Sequence, residues 1–146
     1  MSAEPRSKLY SPQILGLAAQ LARYPLSDAC ALRFTARSQT CGSVVSIGLE
    51  LDEDAAVRAI GLQVTACAVG QAAAAILAEG IIGQTERQIE AAERSILRWL
   101  KNEGDAPDWP GFEALLPIQD YKGRHGAAML PWQAASGALS LAHAAS

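Results

Sequence analysis

The sequence has little that would mark it for nucleic acid, a membrane or the secretory route. Its 12 lysines and arginines are outnumbered by 15 aspartates and glutamates, a formal net charge of −3. It therefore lacks the cationic face that binding to phosphate requires. No uninterrupted apolar run approaches the roughly 20 residues of a membrane-crossing helix. The opening residues, MSAEPRSKLYSPQ, have no apolar core of a secretory signal, so a cytoplasmic protein is expected. Cysteine is scarce: Cys30, Cys41 and Cys67 are the three, and an odd number in a reducing compartment argues against a disulfide framework. Two histidines, His125 and His143, are too few for a histidine-rich metal site. There is no internal repeat, no glycine-rich phosphate loop, no Cys-x-x-Cys pair and no Ser/His/Asp grouping.

What is present is an ordinary globular composition, 50% hydrophobic and 18% charged over 146 residues, which suits one domain spanning residues 1–146. Ser11-Pro12 reads as a helix N-cap followed by proline at the first helical position. Ile14, Leu17, Ala18 and Leu21 keep helical spacing until Tyr24-Pro25 stops it. Residues 30–39 alternate Leu32, Phe34 and Ala36 with Arg33, Thr35 and Arg37, the pattern of a half-exposed strand. Val45, Ile47, Leu49 and Leu51 continue that period in a second strand. Asp52-Glu53-Asp54 makes a turn, and Ile60, Leu62 and Val64 share one face of a third strand. An alanine-rich helix over 68–79 follows, then Thr85 and Gln88 in a capping-box pattern ahead of Ile89, Ala92, Ile96 and Leu100. Residues 102–111, NEGDAPDWPG, are the clearest loop, and the last segment, with Pro131 in its early turns, reads as a helix. The fold class expected is α+β: a three-stranded antiparallel sheet with helices packed on one face.

Two cysteines bracket the middle of this pattern. Cys41 stands just before the second strand and Cys67 just after the third, at the start of the alanine-rich helix. Two strands of similar length folded back on each other bring both thiols to one end of the sheet. There a helix N-terminus favours thiolate. Cys30, separated from Cys41 by ten residues, reads as a small buried hydrophobe apart from this pair.

Thr40-Cys41-Gly42-Ser43, Ala66-Cys67-Ala68, Leu116-Pro117-Ile118 and the run from Arg124 to Trp132 resemble the NifU/IscU-type iron–sulfur scaffold family. The chain departs from that family at two ligand positions. The family's aspartate after Cys-Gly is Ser43 here, and its third cysteine falls at Ala127. The resemblance implies an iron–sulfur cluster assembly scaffold-like protein. Such a protein holds iron, sulfur or a transient cluster on Cys41 and Cys67, and works by ligand exchange rather than as an enzyme. It implies a cysteine desulfurase and iron–sulfur acceptor proteins as partners, and zinc as another possible ion. His125, one position from Gly126, where the family's histidine before the third cysteine falls, is the further candidate metal ligand; Ser43, water or a second subunit in a homodimer are the other means of completing the shell. The alternative is a degenerate member that binds no metal and serves as an adaptor docking a desulfurase, with the Lys122–His125 loop facing the partner.

Overall fold

The computed structural model describes residues 10–39 and 41–144; residues 1–9 of the opening stretch read for a signal, and Thr40 of the Thr40–Ser43 motif, lie outside them. Ser11 caps the first helix, α1 (Pro12–Ala19), by accepting the Ile14 N–H at 3.2 Å. A 3-10 turn, Gln20–Arg23, ends it before the sheet. Strands β1 (Leu32–Arg37), β2 (Val44–Leu51) and β3 (Val57–Thr65) pair antiparallel in the order β1-β2-β3. Helices α2 (Ala68–Ile81) and α3 (Glu86–Leu100) follow, then 3-10 turns at Phe112–Asp120 and Lys122–Arg124, and finally α4 (His125–Ala144). The α+β architecture expected from the sequence is the one observed.

Side-chain alternation decides which face of the sheet is covered. Val45, Ile47 and Leu49 are at most 1% exposed and stand opposite Val64, Leu62 and Ile60 across the β2–β3 ladder, forming one apolar face. Helices α4 and α2 pack on the sheet, α4 over β1 and β2 and α2 beside β3. The other face carries Ser46, bonded to Thr35 at 2.8 Å, and Gly48. Residues 24–30 cross near this side: the Leu62 N–H donates to the Tyr24 carbonyl at 2.7 Å, and a Cβ at Gly48 would lie 2.7 Å from the Cys30 Cβ. Cys30 is therefore a packing residue, 8% exposed, against the middle of β2.

Where the structure goes beyond the sequence pattern, the reason is packing. The first strand is shorter than 30–39. The alanine-rich helix runs two residues further than expected, and it is buried on all sides rather than along a stripe: Ala72 to Ala75 are fully inaccessible. Methyl side chains let α1, α4 and β3 all approach it closely. Thr85 and Gln88 form the expected capping box, with the Thr85 N–H on Gln88 Oε1 at 2.8 Å. Asp52 organises its turn by accepting the amides of Asp54 and Ala56 at 2.8 and 3.0 Å. Within the 102–111 loop, Trp109 inserts into the core, its indole N–H donating to the Ile76 carbonyl at 2.9 Å. It meets Trp132 edge-on at 5.5 Å, and Phe112 lies edge-on to both Trp132 and Trp99.

Candidate functional site

The end of the sheet where Val44 pairs with both Arg37 and Thr65 is closed by three short segments. The first is the β1–β2 turn, in which the Ser38 N–H donates to the Ser43 carbonyl at 2.9 Å and the Gly42 N–H to the Ser38 carbonyl at 3.2 Å. Gly42 has φ +72°, the left-handed conformation that glycine adopts without steric cost, and this sets Cys41 at the tip of the turn. The second is the β3–α2 junction. There Cys67 is the extended N-cap residue of α2, and Gln71 ties the junction down by donating to the Ala66 carbonyl at 2.9 Å. The third is the Lys122–Arg124 turn with the first residues of α4. Together they enclose a cavity of about 320 Å³ lined by Cys41, Ser43, Cys67, Arg124 and Ala127 among others.

Ala127 and Ser43, the two positions at which the sequence departs from the family's ligand set, both face this cavity, at 2% and 4% exposure. Close helix packing brings Ala127 there. A Cβ at Gly70 of α2 would lie 2.7 Å from the Ala66 Cβ and 3.4 Å from that of Ala127, so the bare glycine lets α4 come in. One turn further along α4, Pro131 has no N–H to offer the Ala127 carbonyl.

His125 is placed elsewhere. Its Nε2–H donates to the Gln119 carbonyl at 2.9 Å, and its ring lines a separate cavity with Arg37, Leu97, Lys101 and Met129. An offset of two residues at a helix start turns a side chain well away from its neighbour's direction. Among the described residues, no group of three or more His, Cys, Asp or Glu side chains could hold one metal ion. Lys122 is exposed at the rim, whereas Arg124, which the sequence placed with it on a partner-facing loop, is half-buried and lines the cavity.

Arg124, read from the sequence as part of a partner-facing loop, is placed by the structure at the cavity instead. Its guanidinium bonds the Tyr10 hydroxyl, and this, ahead of the pull of Tyr10, Cys67 and Cys41, holds its pKa above the ordinary arginine value. Its Nε is buried without an acceptor among the described residues. In the sequence it stands beside Lys122 and His125, three residues from a family ligand position.

Cys41 is prepared for ionisation. Burial pushes its thiol up, but this is outweighed by hydrogen bonds with the Ser38 and Ser43 side chains and the Ser43 backbone, together with the charge of Arg124. The net shift is downward. The Sγ lies 3.2 Å from Ser38 Oγ and 3.1 Å from Ser43 Oγ. With the folded pKa below the unfolded one, the thiolate's contribution is present above the unfolded pKa and fades as pH falls through the folded value. Cys41 is thus expected to react with iodoacetamide at lower pH than an unstructured cysteine does. Replacing Ser38 and Ser43 together with alanine should return its pH–rate midpoint toward that of a free thiol. An unshifted midpoint in a Cys30→Ser, Cys67→Ser protein that keeps Ser38 and Ser43 would contradict this.

Neither a protein-family model nor a curated protein matches the sequence. Solved structures do. A nitrogen-fixing NifU-like protein (N-terminal) from Brucella abortus is 28% identical, with a TM-score of 0.88 over 97% of this chain and 99% of that one. A putative iron–sulfur cluster assembly scaffold protein for the SUF system, from the thermophile Fervidobacterium islandicum, is 18% identical, with a TM-score of 0.75 over 91% of this chain and 98% of that one. Fold and cavity together define an α+β domain with two thiols at one sheet end. Its likeness is to the NifU/IscU type, and the resemblance carried by the Cys41 and Cys67 segments extends over nearly the whole chain.

Proposed function

We propose that this protein takes part in iron–sulfur cluster assembly as a NifU/IscU-like scaffold, with Cys41 and Cys67 as the two thiolates that receive iron, sulfur or a transient cluster. One observation carries this reading. In a fold shared with scaffold proteins, the two cysteines line a single cavity between the sheet end and the α2 N-terminus. The role is ligand exchange and hand-over, not catalysis. Cys41, the more exposed thiol and the one shifted toward thiolate, is the entry point.

A cluster or a tetrahedral zinc ion takes about four ligands, and the described lining of the cavity offers two thiolates and neither carboxylate nor imidazole. The remaining positions would be completed from outside, by a second copy of the chain in a homodimer or by an assembly partner such as a cysteine desulfurase. The decisive experiment is anaerobic incubation with iron, cysteine and a cysteine desulfurase, followed by iron and acid-labile sulfide analysis and transfer to an apo-acceptor. Scaffold function requires stoichiometric labile sulfide that is lost in Cys41→Ser and in Cys67→Ser.

A second reading is favoured by Ala127 and Ser43, which leave the ligand set incomplete: a metal-free adaptor that docks the desulfurase. Both readings place the partner against the cavity rim, where Lys122 is exposed. Lys122→Glu is expected to weaken desulfurase binding measurably by calorimetric titration, while thermal stability changes by under about 0.5 kcal/mol, as surface substitutions do. Unchanged affinity would remove this rim from the interface. Arg124 is unsuited to that test, because its charge belongs to the cavity and its side chain to Tyr10.

A further inference from the structure

We infer that the Cys41–Cys67 cavity of a single chain is a two-coordinate site for a soft monovalent d10 cation, copper(I), with Arg124 as its built-in counter-charge. The inference rests on the reading of this cavity as the working site, and goes beyond it by naming the ion that the chain's own residues suit.

The argument is one of donor number and charge. The described lining brings two thiols together and includes no carboxylate and no imidazole. His125 is held on the Gln119 carbonyl in another cavity. At the two positions where further ligands would enter, Ala127 contributes a methyl group and Ser43 a hydroxyl already engaged with Cys41. Zinc is left short of a tetrahedral set. A soft cation that favours thiolate and is satisfied by two ligands in line is not left short. Linear coordination sets the sulfurs about twice a metal–thiolate bond of ~2.3 Å apart, a span that a cavity of about 320 Å³ accommodates.

Charge supports the same occupant. Binding takes two thiols and one copper(I) to a bis-thiolate complex of charge −1, and two protons leave to solvent. An anion in a partly enclosed cavity is stabilised by a cation beside it. Arg124 lines the same cavity, and its buried Nε has no acceptor among the described residues. A divalent ion on the same two thiolates would be neutral, and Arg124 would then stand beside it with no charge to balance.

The test uses the full chain, reduced and free of oxygen, titrated with copper(I) in competition with bicinchoninate and run beside light scattering and X-ray absorption. Expected are one copper per monomer and a first shell of two sulfurs. Affinity should fall at least about a hundredfold in Cys41→Ser and in Cys67→Ser, and not in Cys30→Ser. Arg124→Gln should weaken binding about tenfold, as loss of a partner beyond the ligand shell does, and Arg124→Lys should recover much of that. A three-sulfur shell, half a copper per chain in a dimer, or tight zinc on the monomer would overturn the two-coordinate assignment. Arg124→Gln binding copper(I) as tightly as the wild type would overturn the counter-charge. X-ray absorption on the wild-type chain decides the shell even if a variant folds poorly. No desulfurase enters this titration. Copper(I) bound as expected, with no labile sulfide formed in the reconstitution above, removes the scaffold reading alone; sulfide formed without copper(I) binding removes this inference alone.

Discussion

Restoring the two absent donors, Ser43→Asp with Ala127→Cys, is expected to raise zinc affinity by at least about tenfold, or ~1.4 kcal/mol. Both positions already face the cavity that holds Cys41 and Cys67, so the new side chains are directed at it. The gain comes from exchanging water for protein donors in a tetrahedral shell. Two effects oppose it. Ser43 now bonds Cys41, and that contact is lost; Arg124 is a cation next to the incoming metal. The carboxylate of Ser43→Asp offsets the second effect by giving the guanidinium an anion to pair with. Competition against a chromophoric chelator measures the change, with light scattering to exclude zinc shared between two chains. Equal zinc affinity in the wild type and the double variant would mean that Cys41 and Cys67 are not set to share an ion, and the adaptor reading would replace the scaffold reading.

Trp132→Ala is expected to destabilise the fold by about 3–5 kcal/mol, the range for deleting a buried large aromatic. Trp132 is fully inaccessible and meets both Trp109 and Phe112 edge-on, at 5.5 and 5.8 Å. Its indole Nε1 is buried with no acceptor among the described residues, which places the loss toward the lower end, because removing an unpaired donor recovers part of its desolvation cost. Trp132→Phe should therefore cost much less than Trp132→Ala in denaturant unfolding. A loss in Trp132→Phe as large as in Trp132→Ala would mean that the indole N–H is paired. The consequence reaches the site, because Trp132 lies on the helix that presents Ala127, one residue past the proline that interrupts its hydrogen bonding.

The sheet was legible because its code is local. Alternation at Val45, Ile47 and Leu49 on one strand and Ile60, Leu62 and Val64 on the next specifies two strands, one buried face and a turn between them. From that register alone Cys41 and Cys67 had to meet at the same end, since antiparallel pairing turns separation along the chain into proximity across the ladder. The capping box at Thr85 and the stop at Tyr24-Pro25 were equally local. Three features were not, and tertiary contact decided each of them. Trp109 sat in what composition marks as loop, and its burial comes from an acceptor at Ile76, thirty-three residues away. His125 stood beside the vacant ligand position in sequence, but the start of α4 aims its ring at Gln119 instead. Arg124 looked like a surface cation of a polar turn, until the packing of α4 against Gly70 drew that turn over the sheet end and set its guanidinium between Tyr10 and the two thiols. Periodicity along a chain encodes which face is buried. The direction of a single side chain at a helix start, and the charge that faces a cavity assembled from three segments, depend on how those segments pack.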